Sequence, residues 1–146
     1  MPVTASPALA PLDEADAAAL EALMTPKSFD DGDVIRRVGL RFGGVYFITS
    51  GKVSSTSPGP SSERVQLNTL SAGMTFGELA LGSGSRQETT VRAVGPVELM
   101  VLSAEAIAEL ESADPRLAIA LWKALTRDAY TRVEQYLRES AVRIRE

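Results

Sequence analysis

Hydrophobic and polar residues follow different patterns in three successive parts of the chain. Near the N-terminus, apolar residues recur at helical spacing after Asp13, whose carboxylate is placed to accept the free amides of a first helical turn. Between residues 27 and 102, short runs of Val, Ile, Phe, Tyr and Thr are separated by glycine-containing turns. After Ser103 the helical spacing returns. The pattern therefore predicts an N-terminal helix, a series of strands and C-terminal helices.

The strand region is punctuated by the turn sequences DDGD, RFGG, SAG, GSGS and VGP. Short strands with such regular turns are typical of an all-β barrel or jelly roll. Residues 45–53, 63–70 and 96–102 are predicted strands, and residues 54–62, SSTSPGPSS, are predicted to form an unpaired loop because of their proline, glycine and serine content. We expect an α+β chain that is mainly β, a double-stranded β-helix jelly roll of about eight antiparallel strands.

Two helices are predicted after the strands. Ser103 is a good N-cap for a short helix over residues 104–112, and Asp114 followed by Pro115 begins a second helix. This helix is predicted to run to about Ser140, which is ~37 Å at 1.5 Å per residue. It either packs on the chain's own strands or pairs with a second copy, and its length favours a homodimer. Its apolar stripe consists of Leu121, Leu125, Ala129, Val133, Tyr136 and Leu137.

Composition limits the chemistry that the chain can perform. Because it has no histidine and no cysteine, it lacks the usual ligands of zinc, iron and copper and the bases of Ser-His and Cys-His catalysis. We therefore expect no metal site, no catalytic residue and no enzyme activity. A net charge of −4 provides no general attraction to DNA or anionic lipid. Neither a membrane-spanning apolar run nor a secretory signal is present in the sequence, which favours a cytoplasmic location.

The stretches DDGDVI, VYFITSGKV, LSAGMTFGELAL and TTVRA carry a family resemblance. Together with the order of helix, strands, short helix and long helix, they resemble the cyclic nucleotide-binding domain family of CRP-like regulators and protein kinase A regulatory subunits, over about residues 12–138. The resemblance implies a short helix within the strand region. With the residue pattern, it gives these expected boundaries: a flexible lead-in at 1–11, a domain at 12–140 with its β-roll at 27–102 and C-terminal helices at 104–140, and a tail at 141–146.

In that family a ligand-binding cassette begins with Phe-Gly-Glu-Leu-Ala, passes through the short helix and ends with Pro-Arg-Ala-Ala-Thr-Val. Residues 76–81, FGELAL, match its beginning. A cyclic nucleotide offers a ribose hydroxyl, which a carboxylate can accept, and a phosphate, which calls for an arginine fork and backbone amides. The resemblance assigns the ribose to Glu78 and the phosphate cradle to Gly77 and the amides of Leu79 and Ala80.

The phosphate-binding end of the cassette departs from the family pattern. Counting from either end of the cassette puts the family's phosphate-binding arginine at Gln87, whereas Arg86 falls on the usual proline. Because a one-residue slip on a strand turns a side chain to the opposite face, Arg86 reaches the phosphate only if residues 82–85 rearrange. Glu88 replaces a small residue, and its carboxylate would repel an anion.

Two functions remain open at this point. The first is a non-catalytic regulatory domain that couples occupancy by cAMP, cGMP or another small anion to movement of its C-terminal helix, with no required cofactor. The second is a degenerate module of the same fold that no longer binds nucleotide and acts in dimerisation or protein–protein interaction. Gln87 and Glu88 favour the second function and Glu78 the first. The candidate ligand-binding residues are Gly77, Glu78, Leu79, Ala80, Arg86, Gln87, Glu88, Thr89 and Thr90.

The resemblance also indicates partners. Domains of this kind are similar to the regulatory tails of larger bacterial transporters, glutaminases and kinases, so we expect an effector domain, covalently linked or separate. DNA binding is not expected, because the DNA-binding members of the family carry a further helix-turn-helix after the long helix, and the residues that follow Ser140 are too few for one. On the long helix, Thr126 and Thr131 are interpreted as surface residues rather than contacts to a purine.

Overall fold

The structure is a computed structural model that describes residues 1–36, 43–58, 64–77 and 89–145. Two 3-10 helices, Val3–Ala5 and Pro7–Leu9, precede the first α-helix. The elements that follow in chain order are α1 (Glu14–Glu21), β1 (Thr25–Phe29), β2 (Val34–Arg36), β3 (Gly44–Pro58), β4 (Arg64–Ser71), β5 (Thr75–Phe76), β6 (Thr90–Ser103), α2 (Ala104–Ala113) and α3 (Pro115–Arg145).

All six of these strands belong to one antiparallel sheet with the order β1-β6-β3-β4, in which β2 also pairs with β6 and β5 with β3. The two long strands β3 and β6 run alongside each other from the pair Gly44↔Ser103 to the pair Thr56↔Thr90. Their register shifts between Ile48 and Lys52, which increases the local bend and twist of the sheet. The sheet, the N-terminal helix and the long C-terminal helix confirm the predicted fold class. The predicted cassette helix lies outside the described residues.

The predicted loop over residues 54–62 is wrong in its first part. β3 continues through Pro58 and pairs with β4 as far as Pro58↔Arg64. The error arises because serine and threonine are common in turns, yet their backbone amides and carbonyls pair as well as those of any other residue when a partner strand is adjacent. Pro58 stands at the end of the strand, where its missing N–H is tolerated.

Side chains on the two faces of the sheet build two separate cores. Alternate residues of β3 show the division, since Val45 and Phe47 face the helices, whereas Tyr46 and Ile48 face the interior of the roll. The helix-side core adds residues from both ends of the chain, such as Leu9, Leu20 and Leu121. The roll core consists of Tyr46, Ile48, Val53, Leu70, Phe76, Val91, Ala93, Val97, Leu99 and Val101.

The N-terminal segment differs from the expected flexible lead-in at residues 1–11. Val3, Ala8 and Leu9 are buried in the helix-side core. The Ser6 hydroxyl also donates to the carbonyl of Gly73 at 3.0 Å. The apolar residues of this segment are too few to form a helical or strand pattern in the sequence. They are buried nevertheless, because they pack against the helix-side core.

The helix starts follow local capping rules. The carboxylate of Asp13 accepts the N–H of Asp16 at 2.8 Å, and the Ser103 hydroxyl accepts the N–H of Ala106 at 3.1 Å. Asp114 accepts the N–H of Leu117 at 3.2 Å, directly before Pro115. The long helix α3 extends through Arg145, so residues 141–145, expected to be a tail, are helical. In the described part of the chain, no helix has the length and apolar character needed to cross a membrane.

Candidate functional site

The predicted site residues fall into two groups. Gly77, Thr89 and Thr90 are described and half-buried, and they belong to the two ends of the cassette. Thr90 begins β6 and pairs with Thr56 on β3. The other predicted site residues lie outside the described residues: Glu78, Leu79, Ala80, Arg86, Gln87 and Glu88. The structure therefore describes the two ends of the cassette and the strands next to them.

Gly77 brings the start of the cassette into close contact with β3. Its φ of 89° lies in the left-handed region that favours glycine. A Cβ at this position would lie 2.5 Å from the carbonyl oxygen of Gly44 and 3.2 Å from Cδ2 of Tyr46. The chain can therefore leave β5 at this angle and distance only because residue 77 has no side chain.

Two stacked aromatic rings form the wall of the roll beside Gly77. The ring centroids of Tyr46 and Phe76 are 4.7 Å apart with an interplanar angle of 2°. Both residues belong to the roll core, and their backbones are paired across β3 and β5. The stack orders the residue that immediately precedes Gly77.

A guanidinium lies next to this wall. The Cζ atom of Arg36 is 6.0 Å from the centroid of the Tyr46 ring, which is a cation–π distance. Arg36 is the last residue of β2 and is half-buried. A Cβ added to Gly43 would lie 2.6 Å from Nη1 of Arg36, so the guanidinium uses the space that Gly43 leaves.

A hydrogen bond connects the long helix to the strand that leads into the cassette. Nη1 of Arg132, on α3, donates to the carbonyl oxygen of Thr75 at 3.1 Å. Thr75 is fully buried, with 0% of its surface exposed, and it pairs with Phe47 on the helix-facing side of the sheet. One turn earlier on α3, the Asp128 carboxylate lies 3.5 Å from Nη2 of Arg132 and helps to orient it.

The comparison with protein families agrees with this architecture. The model of the cyclic nucleotide-binding domain matches residues 26–114, which is more than half of the chain. This chain belongs to the cyclic nucleotide-binding domain family. The match confirms the resemblance carried by the sequence. A comparison with curated proteins finds no match.

Solved structures of cyclic nucleotide-binding domains and related regulators share the fold. The N-terminal domain of a transcriptional regulator from Streptomyces coelicolor has a TM-score of 0.77 and 26% identity, with 88% of this chain and 92% of that chain covered. The catabolite activator protein of Thermus thermophilus has a TM-score of 0.74 and 22% identity, with 93% and 63% covered. The chain thus spans less than two thirds of that protein's chain.

A third similar structure contains a bound cyclic nucleotide. It is the regulatory subunit of a cAMP-independent protein kinase A from Trypanosoma brucei, with a TM-score of 0.75, 21% identity and coverage of 92% of this chain and 48% of that chain. The structure is of a triple mutant bound to cAMP, in which a glutamate and a valine are replaced by alanine and a threonine by arginine. At this level of identity the likeness shows the fold alone.

Sequence reasoning missed three residues beside the cassette of this cyclic nucleotide-binding domain: Arg36, Tyr46 and Arg132. The signal for Arg132 was its position four residues after Asp128 on a helix, but its strand partner is 57 residues away.

Thr126 and Thr131 are exposed, and each hydroxyl donates to a carbonyl of its own helix, at 2.8 Å and 2.9 Å, as expected of surface residues. Within the described ranges, no cluster of three or more acidic residues could hold a metal ion.

Proposed function

We propose that this chain is a non-catalytic regulatory domain in which a cyclic nucleotide, cAMP or cGMP, binds between the cassette and the roll and alters the position of α3. The hydrogen bond from Arg132 to Thr75 carries the proposal. Thr75 is two residues before Gly77, so a ligand that shifts the start of the cassette changes the geometry of a bond made by α3. The ligand shifts α3 only to the extent that it binds the two helix positions with different affinities.

The proposal extends to the residues that the structure does not describe. Glu78 accepts the ribose hydroxyl, and Gly77 with the amides of Leu79 and Ala80 surrounds the phosphate. The domain acts in the cytoplasm and regulates an effector domain that is linked to it or separate. These assignments rest on the family pattern, which the match over residues 26–114 supports.

Isothermal titration with cAMP and with cGMP tests ligand binding. We expect a Kd in the micromolar range or tighter for at least one of them, about −8 kcal/mol. Glu78→Ala should abolish the heat of binding while the thermal unfolding midpoint is unchanged. Glu98→Ala is the matched control, because Glu98 is an exposed glutamate on β6, away from the cassette. Absence of heat from the folded wild-type protein with both nucleotides contradicts the proposal.

The fluorescence of Trp122 tests the coupling. Trp122 is the only tryptophan in the sequence, and it is half-buried on α3. Nucleotide should change its emission in the wild-type protein, and Arg132→Ala should lose that change while calorimetry still shows binding. Arg138→Ala is the control on the same helix, where Arg138 forms an exposed ion pair with Glu134 at 3.3 Å. If Arg132→Ala keeps the full fluorescence change, the helix is not coupled through this bond.

A second candidate function is dimerisation without a ligand. The C-terminal half of α3 exposes large apolar side chains: 64% of Tyr130, 54% of Val133, 67% of Tyr136 and 60% of Leu137. Light scattering at micromolar concentration should then show a dimer that Leu137→Glu converts to a monomer. The double substitution Gln87→Arg with Glu88→Ala separates the two functions. If it creates nucleotide binding that the wild-type protein lacks, the pocket has kept its shape and lost its ligand, and dimerisation becomes the favoured function.

A further inference from the structure

A buried hydroxyl on β5 forms no hydrogen bond. Thr75 is 0% exposed, and its Oγ1 atom has no hydrogen-bond partner among the residues that the structure describes. A buried hydroxyl without a partner has lost its hydration and is not compensated within the protein, so native proteins contain few of them. Each such group needs a specific explanation, and one explanation is an acceptor that the described arrangement leaves just out of reach.

The hydroxyl of Thr75 faces the helices. Thr75 pairs with Phe47 across β5 and β3, and directly paired residues of an antiparallel sheet place their side chains on the same face. Phe47 belongs to the helix-side core. The carbonyl oxygen of Thr75 also accepts the hydrogen bond from Arg132 at 3.1 Å. The long helix α3 therefore passes over the side of the sheet on which the hydroxyl lies.

An acceptor on α3 lies close to this contact. Asp128 is one turn before Arg132, and within the described part of the chain its one polar side-chain contact is the ion pair with Nη2 of Arg132 at 3.5 Å. This distance is too long for a strong charge-assisted hydrogen bond. The Asp128 side chain is only 19% exposed. One guanidinium thus contacts both the residue with the unpartnered donor and the carboxylate with unused acceptor capacity.

Polar contacts hold α3 at this point along the sheet. The buried residues of α3 end at Leu125, and the later residues whose side chains are described are half-buried or exposed. Apolar packing therefore fixes the first half of the helix, whereas the path past Thr75 depends on the bond from Arg132. Regions with few buried apolar contacts open at lower cost than a packed core, so this part of α3 can shift while Leu125 stays in place.

We infer that α3 has a second position, favoured by the nucleotide, in which the Thr75 hydroxyl donates to the carboxylate of Asp128. The inference rests on the proposed function, because it names the hydrogen bond that distinguishes the two positions of α3. A hydroxyl-to-carboxylate bond is charge-assisted and stronger than a neutral one. Thr75 is two residues before Gly77, so a shift at the start of the cassette moves the donor. The unpartnered hydroxyl in the described position narrows the free-energy gap that the nucleotide has to overcome.

The first test measures thermal unfolding without nucleotide. Thr75→Val replaces the hydroxyl by a methyl group of similar size and should raise the unfolding midpoint by roughly 2–6 °C, because an unsatisfied buried group is removed. Thr49→Val is the matched control, since the Thr49 hydroxyl donates to the carbonyl of Glu98 at 3.1 Å, and its loss should not raise the midpoint. A lower midpoint for Thr75→Val would show that the hydroxyl is already bonded in the described position and would overturn the inference.

The second test is a double-mutant cycle in nucleotide affinity, measured by calorimetry with cAMP and cGMP. Thr75→Val and Asp128→Ala should each weaken binding about threefold or more. The double variant should bind less weakly than the product of the two effects, because both substitutions remove the same bond. The shifts in unfolding midpoint without nucleotide should be additive, since the bond is not made there. The cycle also cancels the loss of the ion pair between Asp128 and Arg132.

A conservative variant separates the hydroxyl from the methyl group of Thr75. Thr75→Ser keeps the hydroxyl and removes the methyl group from a buried position, so its unfolding midpoint should fall. It should nevertheless recover the nucleotide affinity that Thr75→Val loses. If Thr75→Ser loses as much affinity as Thr75→Val, the effect belongs to packing and the inference is overturned.

The outcomes distinguish this inference from the proposed function. If nucleotide binds the wild-type protein but Thr75→Val and Asp128→Ala weaken binding additively or not at all, the bond is not made in the nucleotide-bound position. The inference is then overturned while the proposed function stands. If neither nucleotide binds the folded wild-type protein, both are rejected.

Discussion

One glycine sets how closely the strand before the cassette approaches the rest of the sheet. At Gly77, both the positive φ and the 2.5 Å distance from an added Cβ to the oxygen of Gly44 exclude any side chain. At Gly95, φ is 75° but nothing lies within 4 Å of a Cβ added in the same way. Both glycines have a positive φ, but only Gly77 has neighbouring atoms that a side chain would overlap. Comparing the two positions therefore separates the cost of backbone strain from the cost of steric overlap.

Gly77→Ala should lower the free energy of unfolding by about 2–5 kcal/mol, the sum of left-handed strain and overlap with β3. Gly95→Ala should lower it by roughly 1–2 kcal/mol, since only the strain remains. Urea denaturation of both variants measures the difference. Equal losses would mean that the contact between Gly77 and Gly44 does not restrict the start of the cassette.

At the scale of the element, α3 has two halves with different surroundings. Leu121 and Leu125 are 1% and 4% exposed in the helix-side core, whereas Val133 and Leu137 are 54% and 60% exposed. The apolar stripe predicted from the sequence is therefore correct in its spacing. Its first half packs on the chain's own core, and its second half extends beyond that core.

Leu121→Ala should lower the free energy of unfolding by about 2–5 kcal/mol, because it leaves a cavity in the core. Leu137→Ala should change it by no more than about 0.5 kcal/mol, since the side chain is exposed in the single chain. Both are measured by urea denaturation at submicromolar protein, where self-association is minimised. A large loss for Leu137→Ala under these conditions would show that the end of α3 packs against its own chain.

At the scale of the whole molecule, an ion pair joins the N-terminal helix α1 to the start of the long helix α3. The Arg116 guanidinium, at the start of α3, lies 2.8 Å and 3.0 Å from the two carboxylate oxygens of Asp16 on α1. These hydrogen bonds, and the positive charge of Arg116, hold the pKa of the Asp16 carboxyl below its usual range. The same pair raises the pKa of Arg116.

Because the folded-state pKa of Asp16 is depressed, its contribution to stability is present above the unfolded-state pKa of about 3.9 and is lost as the pH falls through the folded-state pKa. Asp16→Asn should therefore lower the unfolding midpoint at neutral pH by a small amount that disappears in acid. Thermal unfolding from pH 7 to about pH 2.5 measures the difference from wild type. Glu21→Gln, an exposed change on α1, is the control. A difference that persists unchanged in acid would contradict the ion pair.

Local rules in the sequence predicted several features of this fold correctly. Capping by Asp13, Ser103 and Asp114 could be read from single residues, because an N-cap depends on neighbours within one turn. Long-range partners could not be read in this way. The β3 strand continues through the serine-rich stretch to Pro58 because β4 is there to pair with it. The N-terminal segment packs because a core surface accepts Leu9.

In the candidate site, too, some features could be predicted from local sequence and others depend on long-range contacts. The FGELAL match, and the shift of the arginine from residue 87 to residue 86, are properties of residue order and follow from the sequence alone. The neighbourhood of Arg36 depends on a bulge at Ile35 and on a tyrosine from another strand. The bond from Arg132 to Thr75 joins residues 57 positions apart. Residue order determines the family and the helix starts, since both depend on short segments, whereas packing decides which guanidinium lies beside the cassette, because that depends on strand register.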